Sequence, residues 1–269
     1  MLNNKKQAPI GVFDSGIGGL TVTKAVIKAL PKEDIIYFGD TARVPYGSKS
    51  KETVRTYALE ITDFLLSKNV KMILIACNTV SASAKEEIIA RAGSIPVLDV
   101  ISAGTQAVFD SDEHAHVGVI GTLATINSQA YVHAIHEKDK NVTVTQQACP
   151  LLVPLAEEGW IDNEVARQTL KIYLSTFSQT PINSLILGCT HYPLFKEQIA
   201  EVLTSPSIRI IDSADSIAQS AKDKLTELEL LNDSGGNFEC FVSDRPQRFQ
   251  EVAERFLGRS ISNVHVVQL

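Results

Sequence analysis

The sequence predicts an α/β protein of two similar lobes, each a mostly parallel sheet flanked by helices, with the working site in the cleft between them. Short β-branched runs, apolar on both faces, alternate with longer amphipathic stretches, as in parallel strands joined through helices and covered on two sides. A length of 269 residues fits two lobes or one large α/β domain. The chain also repeats itself. Gly11-Val12-Phe13 then Asp14-Ser15 resembles Gly118-Val119-Ile120 then Gly121-Thr122, and ILIACNT (Ile73–Thr79) resembles LILGCTH (Leu185–His191) at nearly the same offset.

Taken in order, the first strand is expected over Ile10–Phe13, followed by the glycine-rich DSGIGG (Asp14–Gly19). That segment allows a tight turn and close approach to backbone N–H groups at a helix start. It is not a dinucleotide fingerprint, because Thr21 stands where G-x-G-x-x-G needs its third glycine. A strand at Ile35–Phe38 leads to PYGS (Pro45–Ser48), a turn feeding a helix over Ser50–Lys68. Ser50 is its N-cap, and Glu52 suits the first turn of the helix dipole. Further strands are expected at Met72–Ala76, Val97–Val100, Val117–Ile120, Val142–Thr145, Leu185–Leu187 and Ile208–Ile211. Helices follow at Thr79–Ala92, Asn163–Phe177 and Ser213–Leu231, and LNDSGGN (Leu231–Asn237) reads as a surface loop.

Composition removes several function classes. Twenty-five Lys and Arg against 31 Asp and Glu give a net charge of −6, with no basic block. A nucleic-acid partner is therefore not expected. The apolar runs fall well short of a membrane span, and no export signal is legible, so the expected location is the cytoplasm. Four cysteines at wide, unpatterned spacings form neither a disulfide framework nor a zinc signature. Other histidines give His114-x-His116 and His133-x-x-His136-Glu137; the second is not the H-x-x-E-H of an inverted zinc peptidase and is read as solvated helix residues. No metal or other cofactor is expected.

Cys77 and Cys189 stand apart from Cys149 and Cys240. Each follows an apolar strand and precedes a helical stretch, at the carboxyl ends of strands where open α/β sheets bind ligands. A nearby helix N-terminus favours a thiolate, and a thiol of ordinary pKa near 8.5 needs such help to act as a base at neutral pH. One strand-end cysteine alone is more often a small buried hydrophobe. Two of them in matching places of duplicated lobes would face each other across one cleft. Opposed bases suit the inversion of a carbon acid, with a proton removed from one face and another delivered to the opposite face. Asp14 at a strand end could hold an ammonium group or poise a thiol, and His191, two residues after Cys189, could tune it.

DSGIGGLTV (Asp14–Val22), PYGSKS (Pro45–Ser50), ACNTVSA (Ala76–Ala82), GCTHYPL (Gly188–Leu194) and IDSA (Ile211–Ala214) together resemble the bacterial glutamate racemases of the aspartate/glutamate racemase family. The resemblance runs through nearly the whole chain, including FVSDRPQRFQEVAERFLG (Phe241–Gly258). It implies cofactor-independent, two-thiol interconversion of L- and D-glutamate, with the D-form supplied to peptidoglycan. Cys77 and Cys189 correspond to the paired proton carriers, the first acting on the D-enantiomer and the second on the L-enantiomer. Asp14, Glu157 and His191 correspond to groups assisting the thiols, Glu157 being chosen over Glu158 on its P-L-x-E spacing. Substrate contacts carry over to Asp14, Ser15, Tyr46, Gly47, Asn78, Thr79, Thr190 and His191. The resemblance also implies one lobe of residues 1–99 with 210–269 and another of residues 100–209. A homodimer and a cell-wall-precursor activator are left open as partners.

Three rival readings have discriminating observations. A sibling racemase would act on aspartate or another amino acid but not glutamate. A non-catalytic amino-acid binder would exchange no α-proton. A dithiol redox protein more often carries a local C-x-x-C than two thiols 112 residues apart.

Overall fold

The computed structural model describes residues 5–111, 115–178, 180–205, 207–261 and 264–269; His114 lies outside them. The chain opens with β1 (Ile10–Asp14), α1 (Leu20–Ala29), β2 (Ile35–Gly39), α2 (Lys51–Ser67), β3 (Met72–Ile75), α3 (Asn78–Ala92), β4 (Val97–Asp99) and α4 (Val100–Phe109). It continues through β5 (His116–Gly121), α5 (Leu123–Asn127), α6 (Ala130–Lys138), β6 (Thr143–Ala148), α7 (Leu152–Glu158), α8 (Glu164–Ser178), β7 (Ser184–Gly188), α9 (Lys196–Leu203) and β8 (Arg209–Ile211). It closes with α10 (Ser213–Glu227), β9 (Phe238–Val242), α11 (Pro246–Leu257) and β10 (Val264–Val266). Short 3₁₀ turns occupy Tyr46–Ser48 and Tyr192–Phe195. Among the described residues no helix is long and apolar enough to cross a membrane.

All pairings between these strands are parallel, in a six-stranded sheet ordered β10-β9-β2-β1-β3-β4 and a four-stranded sheet ordered β6-β5-β7-β8. The run β2-β1-β3-β4 in one sheet matches β6-β5-β7-β8 in the other, so the internal repeat maps strand onto strand. β1, β2, β3 and β7 are buried along their whole length, which explains why they read as continuous apolar runs. In the first sheet α2 packs with α3, while α1 packs with α10. Each fully buried Ile or Leu of these layers contributes about 1.5–3 kcal/mol of transfer free energy.

Several boundaries differ from the sequence reading. Val100 begins a helix instead of ending a strand, because Asp99 Oδ1 accepts from the N–H groups of Ile101 and Ser102, both at 3.0 Å. β6 runs on to Ala148 through the polar pair Gln146–Gln147, whose intermediate burial hides it from an apolar-run criterion. Ser50 does cap α2, its Oγ accepting from Thr53 N at 3.2 Å. His133 is exposed, but His136 is half-buried, with Nε2 3.0 Å from Val142 O. Leu231–Asn237 is a loop, pinned where Asn232 N donates to Glu33 Oε1 at 2.8 Å.

That pin belongs to a buried ion pair. Lys71 Nζ lies 2.5 Å from Glu33 Oε2 and donates to the carbonyls of Lys6 at 2.5 Å and Leu230 at 2.9 Å. It joins the start of β3 to the segment that precedes β9. Both side chains are nearly inaccessible, at 2% and 1%, so removing one leaves an uncompensated buried charge. Lys71→Met is expected to lower unfolding stability by ~3–5 kcal/mol, read from the urea midpoint. Breaking the exposed Arg91–Asp63 pair (46% and 52%) with Asp63→Asn is expected to cost at most ~1 kcal/mol.

Candidate active site

Parallel pairing sends the carboxyl ends of all strands in a sheet the same way, and the register decides which ends are level. Phe13 opposite Ile75 sets the segment after β1 beside the segment after β3. Ser15 and Cys77 accordingly meet, Cys77 Sγ donating to Ser15 Oγ at 3.4 Å. In the second sheet Gly121 lies opposite Gly188, which levels Thr122 with Cys189. A cavity of about 400 Å³ opens between these two sets of strand ends. Cys77, Asn78 and Thr79 border it from one lobe; Cys189, Thr190, His191 and Glu157 border it from the other.

The two thiols have different surroundings. Cys77 caps α3 from an extended backbone conformation, so the helix N-terminus lies beside it as expected. Even so, its thiol is pushed up to about 12, first by burial and then by the charge of Asp14, against weaker opposing hydrogen bonds from Ser15 and Val80. Burial and the charge of Asp14 therefore oppose the thiolate that a helix N-terminus favours, and the shift is toward the protonated thiol. Cys189 is followed by the short 3₁₀ turn, with Pro193 in its first turn, rather than directly by an α-helix. Its special neighbour is a side chain: His191 Nδ1 lies 3.8 Å from Cys189 Sγ, and Nε2 lies 3.1 Å from Glu157 Oε1.

Burial opposes charging His191, but the bonds to Cys189 and Glu157 outweigh it and push the imidazole up to about 10. The ring edge also meets Phe256, centroid to centroid 5.2 Å. Because the folded state holds this proton more tightly than the unfolded chain, the resulting stabilisation is complete below about pH 6.5 and disappears as pH rises through about 10. The stability gap between the native protein and His191→Asn is therefore expected to narrow across that window. Urea midpoints at pH 6, 8 and 10 check this. Glu157 is further fixed through its backbone, whose carbonyl accepts from Arg255 Nη1 at 2.9 Å. Glu158 instead pairs with Arg248 at 3.1 Å.

Asp14 is buried at the end of β1. Burial pushes its carboxyl above the usual range, against the pull of His191 and the N–H groups of Gly16 and Gly19. Its Oδ2 accepts from Gly16 N at 2.9 Å, and Thr190 Oγ1 reaches its Oδ1 at 3.5 Å. Gly18 faces the opposite lobe. A Cβ there would lie 2.2 Å from Thr190 Oγ1 and 2.5 Å from His191 Nδ1. The close approach that its glycine permits is therefore to the second lobe's site residues.

Tyr46 and Gly47 lie along the cavity wall, but the Tyr46 side chain is buried with its hydroxyl donating to Asp40. The Tyr46 hydroxyl is thus engaged by Asp40, and Ser48 of the same turn also borders the cavity. Asp40 also accepts from Arg43 Nε at 2.6 Å and Ser243 Oγ at 2.7 Å, which anchors the turn. Cys149 follows β6 and precedes α7, so it too is a strand-end cysteine. It is fully buried, with Sγ directed to Gln147 O at 3.6 Å. Cys240 is buried within β9.

Thr122 was not singled out as a site residue from sequence, yet it lines the cavity and bonds across the lobes, Oγ1 lying 3.1 Å from Thr79 Oγ1. The signal was present in the repeat, where Gly121-Thr122 matches Asp14-Ser15. Val44, Leu123, Pro150, Val153 and Pro154 supply an apolar wall that no motif announced. Among the described residues, no group of three or more His, Cys, Asp or Glu could hold a metal ion.

The family model for Asp/Glu/hydantoin racemases matches residues 10–221. The chain is 46% identical over 271 residues to the glutamate racemase of Neisseria meningitidis serogroup B, covering 100% of both. It is 50% identical over 262 residues to the glutamate racemase of Chlorobaculum tepidum, covering 97% of this chain and 96% of the relative. Its fold matches the crystal structure of the Francisella tularensis glutamate racemase in complex with D-glutamate with a TM-score of 0.93, at 44% identity and 98% coverage of each chain.

Proposed function

The chain belongs to the Asp/Glu/hydantoin racemase family, and on that premise we propose that it interconverts L- and D-glutamate in the cytoplasm, using its own side chains as acid and base without a cofactor. Its D-glutamate would then supply peptidoglycan synthesis. The observation that carries this reading is the pair of thiols on one cavity, Cys77 after β3 and Cys189 after β7. Paired sulfur groups from opposite lobes can reach opposite faces of a carbon held between them.

In each turnover one sulfur starts as thiolate and the other as thiol. The thiolate takes the α-proton from one face, and the electron pair left on Cα delocalises into the adjacent carboxylate. The thiol then delivers its proton to the other face, and the two sulfurs finish with their protonation states exchanged. From L-glutamate, Cys189 is the base and Cys77 the acid; from D-glutamate the roles reverse. The high Cys77 pKa suits its role as acid. For the reverse direction, a substrate ammonium on Asp14 would offset a charge that helps keep Cys77 protonated. His191, held by Glu157, supplies a donor to Cys189. Asn78, Thr79 and Thr190 offer neutral donors to the carboxylates, with Ser15 and the Tyr46–Gly47 backbone completing the contacts.

Separate incubations with L-glutamate, D-glutamate and L-aspartate, followed by polarimetry, test the proposal. Both glutamate samples should decay to zero rotation. Racemisation of aspartate with no effect on glutamate would overturn the substrate, and an intact fold inert to all three would favour the amino-acid-binder reading.

A further inference from the structure

We propose that Tyr131 is a positioning residue of this site, reaching across from the second lobe to hold the Asn78 carboxamide with its Nδ2 turned into the cavity as a donor for a substrate carboxylate. The inference rests on the glutamate reading for the identity of the ligand, but the lock itself is a bond between two of the protein's own side chains. Asn78 directly follows Cys77, is 3% exposed and borders the cavity. Tyr131 is fully buried on α6, and its hydroxyl donates to Asn78 Oδ1 at 2.7 Å across 53 residues of sequence.

The surroundings leave room for this reach. A Cβ on Gly188, the residue before Cys189, would lie 3.0 Å from Tyr131 Cε2, and one on Gly104 would lie 3.5 Å from its hydroxyl oxygen. Gly188 thus makes room for the ring, whereas at Gly104 the contact with the hydroxyl would be an ordinary one. Burial pushes the Tyr131 hydroxyl well above its ordinary range, so it keeps the proton it donates.

The consequence lies in the two ends of an amide. Asn78 has one acceptor and one NH₂ donor group. With Oδ1 engaged by Tyr131, the donor end is left for the cavity. Without that bond the amide can turn over and present an oxygen, which repels a carboxylate. The bond also joins α3 to α6, close in sequence to the Thr79–Thr122 contact between the same lobes. Donor orientation at Asn78 is therefore coupled to how the lobes sit together.

Tyr131→Phe removes only the hydroxyl and keeps the ring. It is expected to raise KM for D-glutamate about tenfold, with a smaller change in kcat, as for loss of an oriented hydrogen bond to a charged group. In an Asn78→Ala background the same substitution should change kcat/KM by less than about twofold, since its target is gone. Equal losses in both backgrounds would mean that Tyr131 acts through general packing, and would overturn the proposal. A second arm uses no substrate: the side-chain NH₂ resonances of Asn78, assigned by their loss in Asn78→Ala, should shift in Tyr131→Phe. Unchanged resonances would overturn the lock. If the native protein failed to racemise glutamate, the functional reading would fall, while this second arm would still decide the Tyr131 bond.

Discussion

Cys77→Ser is expected to lower racemisation from either enantiomer by ~10²–10⁴-fold, because a serine hydroxyl is far less acidic than a thiol and a poor base. The intact Cys189 should still remove the α-proton of an L-amino acid, so elimination from an L-substrate bearing a β-leaving group should persist. Cys189→Ser should show the mirror preference, losing racemisation but retaining elimination from the D-substrate. A single-base mechanism gives another pattern: one variant fails with both enantiomers, and the other works with both. Near-native racemisation in both serine variants would remove the thiols from the chemistry. Cys149→Ser and Cys240→Ser are the controls. Both sulfurs are buried outside the cavity lining, so these changes should alter stability and leave turnover standing.

Gly18→Ala is expected to cost about 10²-fold in kcat/KM with a much smaller loss of stability. The new methyl would occupy space 2.2 Å from Thr190 Oγ1 and 2.5 Å from His191 Nδ1, and both must shift to admit it. That displaces the partner of Cys189 and a carboxylate donor in a single step. The loss arises from misplacement across the cleft, so circular dichroism and the urea midpoint should stay near native while activity falls. A fully active Gly18→Ala protein would show that the Thr190–His191 arrangement is not required.

Eight of the strands were legible as short apolar or β-branched runs, most plainly β1, β2, β3 and β7, which are buried along their whole length, and the repeat gave the likeness of the lobes. The repeat could not give the sheet order. β9 inserts between β2 and β10, a pairing of Phe38 with Phe241 that no local pattern encodes. β9 itself carries an exposed Glu239, and β10 is three residues long, so neither reads as a core strand. In the site, the Cys-Asn-Thr and Cys-Thr-His runs were visible because strand, cysteine and donors are contiguous. Tyr131 behind Asn78 and Arg255 beside Glu157 were not, since each acts across a long sequence separation; Asp40 lies only six residues before Tyr46, but no motif marks it as the anchor of that turn. The raised pKa of Cys77 is hidden for a similar reason: a helix N-terminus can be read locally, but burial and the charge of Asp14 depend on the assembled core.

The central claim is that each thiol serves one face of the same carbon. It is tested most directly by following the first turnovers of α-deuterated D-glutamate in ordinary water by NMR and chiral chromatography. Two monoprotic bases predict that newly formed L-glutamate carries a solvent proton, while the unreacted D-glutamate keeps its deuterium. Starting from α-deuterated L-glutamate should give the mirror result. Deuterium carried into the newly formed enantiomer would mean that one group removes and returns the same hydrogen, contradicting the two-thiol account.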